Sequence, residues 1–142
     1  MKISCCIDMM FSYLDFYDRI SAVKNSGIDA VEFWKWSNKD IDKITKLVND
    51  NDMHISIFNI DSCDEKLSYD LSRGIINDGR SDEFAIALRE SIPVYKALGA
   101  SAMIVLIGEN ASYNEENVYK CLKAAAPIVE KDGVNLVVEP LN

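Results

Sequence analysis

The chain has 142 residues, 49% hydrophobic and 27% charged, with 6 Gly and 3 Pro, enough for one globular core and too apolar for a disordered chain. Its 15 basic and 23 acidic residues give a formal net charge of −8 with a single His; the Lys and Arg residues are scattered, which argues against nucleic-acid and anionic-membrane partners. No run approaches the roughly 18 apolar residues of a membrane span, and Ile3 to Ile7 is too short, with no small-residue cleavage site after it, for a secretory signal.

Ile3 to Ile7 is a short apolar run that predicts a buried strand. Phe16, Ile20 and Val23 then recur at i, i+4 and i+7 before Gly27, which predicts a helix closed by a glycine. Ala30 to Trp34 predicts a second strand. Ser37 with Asp40 three residues on resembles a capping box, and Ile41, Ile44 and Val48 form the apolar stripe of a second helix. Met53 to Ile60 predicts the third strand. Asp61 to Arg80 is polar, contains Gly74 and Gly79, and shows no clear period, so it is expected to be a long loop of the kind that covers active sites.

Ser81, Asp82 and Glu83 form a helix start, and Phe84, Leu88, Ile92, Tyr95 and Leu98 keep one face until Gly99. Pro93 is expected to kink this helix, because it cannot donate to the carbonyl of Arg89. Met103 to Ile107 predicts a fourth strand. Ser112 or Asn114 starts another helix through Val118, Leu122, Ala125 and Val129, which Gly133 ends. Val134 to Glu139 predicts the fifth strand. Cys5, Cys6, Cys63 and Cys121 have no C-x-x-C spacing and read as reduced, largely buried thiols in a cytoplasmic protein.

The string is therefore βαβαβαβαβ, with strands reading as apolar runs, which a parallel sheet requires. Two architectures fit. One is a complete five-stranded flavodoxin-like open sheet. The other is the first five strands of a (β/α)8 barrel, a fold that takes about 250 residues. The turn after the first strand, Asp8-Met9-Met10-Phe11-Ser12, is not the Gly-rich turn of a phosphate cradle. Asp8 and Asp61 mimic two acids of a receiver domain, yet the fifth strand ends in Glu139-Pro140-Leu141-Asn142 without the Lys such a domain needs.

That ending, Val137-Val138-Glu139-Pro140-Leu141-Asn142, resembles the fifth strand of the hydroxypyruvate isomerase family within the xylose-isomerase-like TIM barrels, and Leu122 to Glu130 resembles the helix before it. Gly27 to Trp36, Asp78 to Phe84 and Lys96 to Ala100 resemble other segments of that family in the same order. The resemblance implies that residues 1–142 are the N-terminal part of a single barrel domain, incomplete at the C-terminal side, since such proteins continue through three more strands that supply most metal ligands and a second catalytic Glu. Cys6 stands near where relatives often have Asn.

The implied activity is a sugar or hydroxy-acid isomerisation, such as hydroxypyruvate to tartronate semialdehyde, by proton transfer through an enediol. Such chemistry needs an acid/base group and a stabiliser of the oxyanions, a role suited to Mg²⁺ or Mn²⁺. By resemblance Glu139 is a catalytic glutamate and a metal ligand; a solvated strand-end carboxylate is the plain alternative. Trp34 and Trp36 near the exit of the second strand could wall a pocket for a small hydroxy-carbonyl or sugar substrate, or could pack in the core. Asn59 and Asp61 after the third strand and Glu109 after the fourth stand at the edge where substrate contacts form. Glu32, inside an apolar strand, needs a partner, and a structural one is favoured over catalysis. His54 begins its strand and so belongs to the opposite rim. Endonuclease-IV-type barrels share the fold but use several His-bound zinc ions and a basic surface, and one His and a charge of −8 suit neither. The isolated chain is expected to lack a complete active site and to self-associate through its open sheet edges. The competing function is a non-catalytic open α/β domain that binds a small ligand or a protein.

Overall fold

In the computed structural model, residues 2–108 and 113–140 are described. The apolar runs become the strands β1 (Ser4–Cys6), β2 (Ala30–Phe33), β3 (His54–Asn59), β4 (Ala102–Leu106) and β5 (Leu136–Glu139). Between them run α1 (Asp18–Asn25), α2 (Ile41–Asp50), α3 (Glu65–Ser72), α4 (Ser81–Leu98) and α5 (Glu115–Asp132), with a 3-10 turn at Ile75–Asp78.

All neighbouring strands pair in parallel, in the order β1-β2-β3-β4-β5. This order excludes the flavodoxin-like alternative, in which the chain reverses direction across the sheet and strand 1 lies between strands 2 and 3. Each crossover here steps to the next strand the same way, and right-handed crossovers then lay every helix on one face. Contacts of α1 with α2, α2 with α4 and α4 with α5 trace that helical layer. The result is an arc of a barrel wall.

The core lies between the helices and the sheet. Phe33 and Phe58 stack with ring centroids 5.7 Å apart, and Ile7, Ile20, Ile44, Ile55, Phe84, Leu88 and Met103 are fully buried around them. The opposite, concave face carries the half-buried Ser4, Cys6, Glu32, Ile104 and Leu106. Cys5 is buried and Cys6 less so, as alternation along a strand requires; the four cysteines are free thiols.

One irregularity sets the site. Val31 pairs with Ile55, but Phe33 pairs with Phe58, so β3 contains one residue more than β2 over the same stretch. The bulge reverses the inward-outward parity: Phe58 and Ile60 return to the core, and Asn59 is left to face the concave side.

Two expectations change. The predicted long loop Asp61 to Arg80 holds α3 and the 3-10 turn. Asp64 caps α3 by accepting from the Leu67 N–H at 2.7 Å, and Leu67 and Leu71, one turn apart, are buried. At α2 the N-cap is Asp40, which accepts from Lys43 N–H at 2.9 Å, not Ser37. The α4 helix runs from Ser81 through Pro93 to Leu98 as one element. Asn114, of the two candidates, caps α5 by accepting from Asn117 N–H. No helix among the described residues is long and apolar enough to cross a membrane.

Candidate functional site

The parallel strands all end on the same side of the sheet, where Cys6 pairs with Glu32, Asn59 with Ile104, and Leu106 with Glu139. Beyond their carboxyl ends lies a cleft of about 360 Å³, lined by residues that include Asp8, Trp34, Lys35, Lys39, Asn59 and Glu139. A volume of this order suits a small-molecule ligand, and the carboxyl-end position is where barrels carry their chemistry.

Asp8, just past β1, is the hinge pin of this edge. One of its carboxylate oxygens accepts from the Trp34 backbone N–H at 2.6 Å, and the other lies 3.5 Å from the Lys39 ammonium. Arg19 holds the same loop from behind by donating to the carbonyls of Ile7 and Leu14 at 2.8 and 3.1 Å. The Lys39 side chain is 9% exposed. Its ammonium donates to the Lys35 carbonyl at 2.7 Å and lies 4.7 Å from the centre of the Phe16 ring. Burial pushes its pKa below the ordinary lysine value, and Asp8 opposes that shift.

Glu139 ends β5 on the cleft; its side chain is exposed, and its backbone carbonyl accepts from Ile107 N–H at 3.2 Å. Asn59 lines the same cleft, and its Oδ1 is buried with no hydrogen-bond partner among the described residues. Buried acceptors are rarely left unpaired, and functional sites are where the exceptions collect. Trp34 is 48% exposed and forms a wall.

Trp36 is not part of the cleft. It is buried in the core and donates its indole N–H to Ser91 Oγ at 2.9 Å, because two residues of loop turn the chain inward after Trp34. Asp61 is likewise committed elsewhere: it is buried, its carboxylate accepts from Ser37 N–H at 3.0 Å, and its backbone N–H and carbonyl both bond Ser91 Oγ. Glu109 lies outside the described residues. Glu32 lies on the concave face, 3.5 Å from the Ser56 hydroxyl, and its charge is one of the causes that raise the Cys6 thiol pKa after burial itself. His54 is exposed at the start of β3, at the far rim. Lys35 and Lys39, both lining the cleft, gave no signal in the sequence beyond their places after the second strand.

The carboxylate of Glu139 and the amide oxygen of Asn59 are hard oxygen donors by chemistry, though the Asn59 Oδ1 is buried. The described residues hold no group of three His, Cys, Asp or Glu side chains able to grip a metal ion, so they do not by themselves make a complete metal centre.

A family model described as xylose isomerase-like TIM barrel matches residues 20–142. The fold is similar to an AP endonuclease, family 2, from Brucella melitensis, at TM-score 0.83 and 23% identity, covering 100% of this chain and 56% of that one. It is similar to the 3-keto-D-glucoside 4-epimerase from E. coli, at TM-score 0.72 and 15% identity over 100% of this chain and 57% of that one. It also resembles the IOLI protein, whose structure was described with a binding zinc atom, at TM-score 0.71 and 14% identity over 99% of this chain and 52% of that one. The chain thus spans somewhat over half the length of these structures, which at such identities speak for the fold alone. No curated protein sequence matches the chain.

Proposed function

The chain belongs to the xylose isomerase-like TIM barrel family, and from that premise we propose that it supplies part of the active site of an isomerase for small hydroxy-carbonyl compounds, a sugar or a hydroxy acid of the hydroxypyruvate kind. The observation that carries this reading is that Glu139 and Asn59 line one cleft at the carboxyl ends of the strands, with the buried Asn59 Oδ1 lacking a hydrogen-bond partner among the described residues.

In such a reaction a proton leaves the carbon beside a carbonyl and returns to the neighbouring carbon. Glu139 is the proton carrier: its carboxylate is exposed to the cleft, and a positioned base of this kind contributes roughly 10²- to 10⁴-fold. The Asn59 amide orients a substrate hydroxyl. Trp34 covers one side of the bound carbon chain with an apolar surface and keeps water from it. Asp8 and Lys39 position that wall through the Trp34 backbone. A divalent Mg²⁺ or Mn²⁺, when bound, would stabilise negative charge developing on the substrate oxygens, and Glu139 would be one of its ligands. The free thiols are compatible with a reducing, cytoplasmic setting.

The test is a panel of hydroxypyruvate and short aldoses and ketoses, assayed with the natively expressed protein in Mg²⁺ or Mn²⁺. Turnover of at least one compound, reduced about 10²-fold or more by Glu139→Gln, is expected. Turnover that Glu139→Gln leaves intact would contradict the reading.

A further inference from the structure

Three segments meet at one buried ammonium. The Lys39 side chain is 9% exposed, and its charge lies 4.7 and 5.6 Å from the ring centres of Phe16 and Phe33. It donates to the Lys35 carbonyl at 2.7 Å and to Asn38 Oδ1 at 3.3 Å, and the Asp8 carboxylate stands 3.5 Å away. Trp34 is gripped on both sides by this cluster and its neighbour strand. Its N–H donates to Asp8 at 2.6 Å, its carbonyl accepts from the Asn59 N–H at 3.0 Å, and the carbonyl of the next residue is the one that Lys39 holds.

The charge of Lys39 matters here beyond its hydrogen bonds. The Asp8 side chain is only 19% exposed, and a carboxylate so placed depends on a cation to offset its lost hydration. Among the described residues that cation is Lys39. The other charges facing the ammonium are Asp61 after β3, which favours its charged form, and Lys35 after β2, which opposes it; Tyr17 and Arg19 at the start of α1 share its recess. Burial outweighs the two carboxylates and holds the Lys39 pKa below the ordinary lysine value. A neutral Lys39 can still donate to the Lys35 carbonyl, but it leaves Asp8 as a carboxylate without a cation. The route of Asp8 back to water is to turn out of the edge, and that takes the acceptor away from the Trp34 N–H.

We propose that Lys39 is the positioning residue of the Trp34 wall and acts through its charge, so that losing its proton frees Asp8 and the wall with it. The wall is then fixed at neutral pH and loosened in alkali. That this latch governs substrate binding rests on the isomerase reading above; the latch itself does not.

The experiment reads Trp34 by fluorine NMR. The chain has 2 Trp, so Trp36→Phe labelled with 5-fluorotryptophan gives a single resonance, followed from neutral pH to about 10.5 with circular dichroism checked as native throughout. In this background the resonance should move in one step with a midpoint below about 10.4, the ordinary lysine value. Adding Lys39→Arg, which keeps its charge over the whole range, should hold the resonance at its neutral-pH position. Adding Lys39→Met should place it at the alkaline position already at neutral pH; Lys39→Arg decides the matter even where Lys39→Met does not fold. The same step in Lys39→Arg, or no step in the protein that keeps Lys39, overturns the proposal. On the best substrate of the panel at neutral pH, Lys39→Met should raise KM about threefold or more with kcat changed less, and Lys39→Arg should restore it; a KM that Lys39→Met leaves unchanged overturns the role in binding. If the step depends on Lys39 while the native protein isomerises nothing, the isomerase reading falls and the latch stands. If the native protein isomerises and Lys39→Arg shows the step as well, the latch falls and the isomerase reading stands.

Discussion

Two tryptophans separated by one residue have opposite fates. Trp36 satisfies its indole N–H on the buried Ser91, while Trp34 remains half-exposed on the cleft. Trp36→Phe should therefore lower unfolding stability by about 1 to 2 kcal/mol in urea denaturation, the cost of a lost buried hydrogen bond, with no change in KM. Trp34→Ala should do the reverse, raising KM with little effect on stability. Asn59 makes a sharper case. Its Oδ1 is buried without a partner among the described residues, an arrangement that costs stability, so Asn59→Leu is expected to leave the protein as stable or about 1 kcal/mol more stable while removing activity. A large loss of stability would show the amide to be structural. The sequence made Asn59 and Glu139 legible as polar residues ending apolar runs. It did not show that Trp36 and Asp61 turn inward onto Ser91, because that depends on a contact from α4, 30 residues from Asp61.

Among the elements, α3 was the one hidden from periodicity. Its buried apolar content is Leu67 and Leu71, with Tyr69 exposed, too short a stripe to stand out beside Gly74 and Gly79. Asp64 followed by Leu67 and Leu71 was the available signal, a cap leading into a one-turn repeat. Gly74 then carries the chain against β4's exit at φ +79°, where an added Cβ would meet the Ile107 carbonyl oxygen at 2.0 Å. Because that obstacle is backbone, Gly74→Ala is expected to cost about 2 kcal/mol or more, read as a lower urea midpoint. An unchanged midpoint would mean that the two segments can separate freely.

Arg80 ties α3 to α4 by donating to Asp70 at 2.8 Å and to both oxygens of Glu83. The Arg80 hydrogen bonds hold both carboxyl pKa values below their ordinary range. Carboxylates so depressed stabilise the fold above their unfolded values, about 3.9 for Asp and 4.3 for Glu, and lose that contribution as pH falls through the lower folded values. Melting temperature should therefore drop as pH is taken below about 4, and Arg80→Met should flatten that part of the profile.

For the whole molecule, the element string was readable from the apolar runs and glycine stops, and it suited an open sheet and a barrel equally. What separates them is strand order, a property of pairing between distant segments. The β1-β2-β3-β4-β5 order leaves β1 and β5 as edges and a concave face on which Val137, beside Glu139, is 42% exposed. Unpaired edges of this kind invite pairing, and the 142-residue chain alone is expected to self-associate in sedimentation at rising concentration; a monomer throughout would show the edges to be protected.

The most direct test of the central claim, that the carboxyl-end cleft transfers a proton through Glu139, is solvent exchange at the substrate carbon next to the carbonyl. The natively expressed protein, incubated in D2O with the best substrate of the panel, should incorporate deuterium at that carbon by proton NMR, and Glu139→Gln should abolish incorporation. Deuterium uptake at the same rate in both proteins would contradict the account.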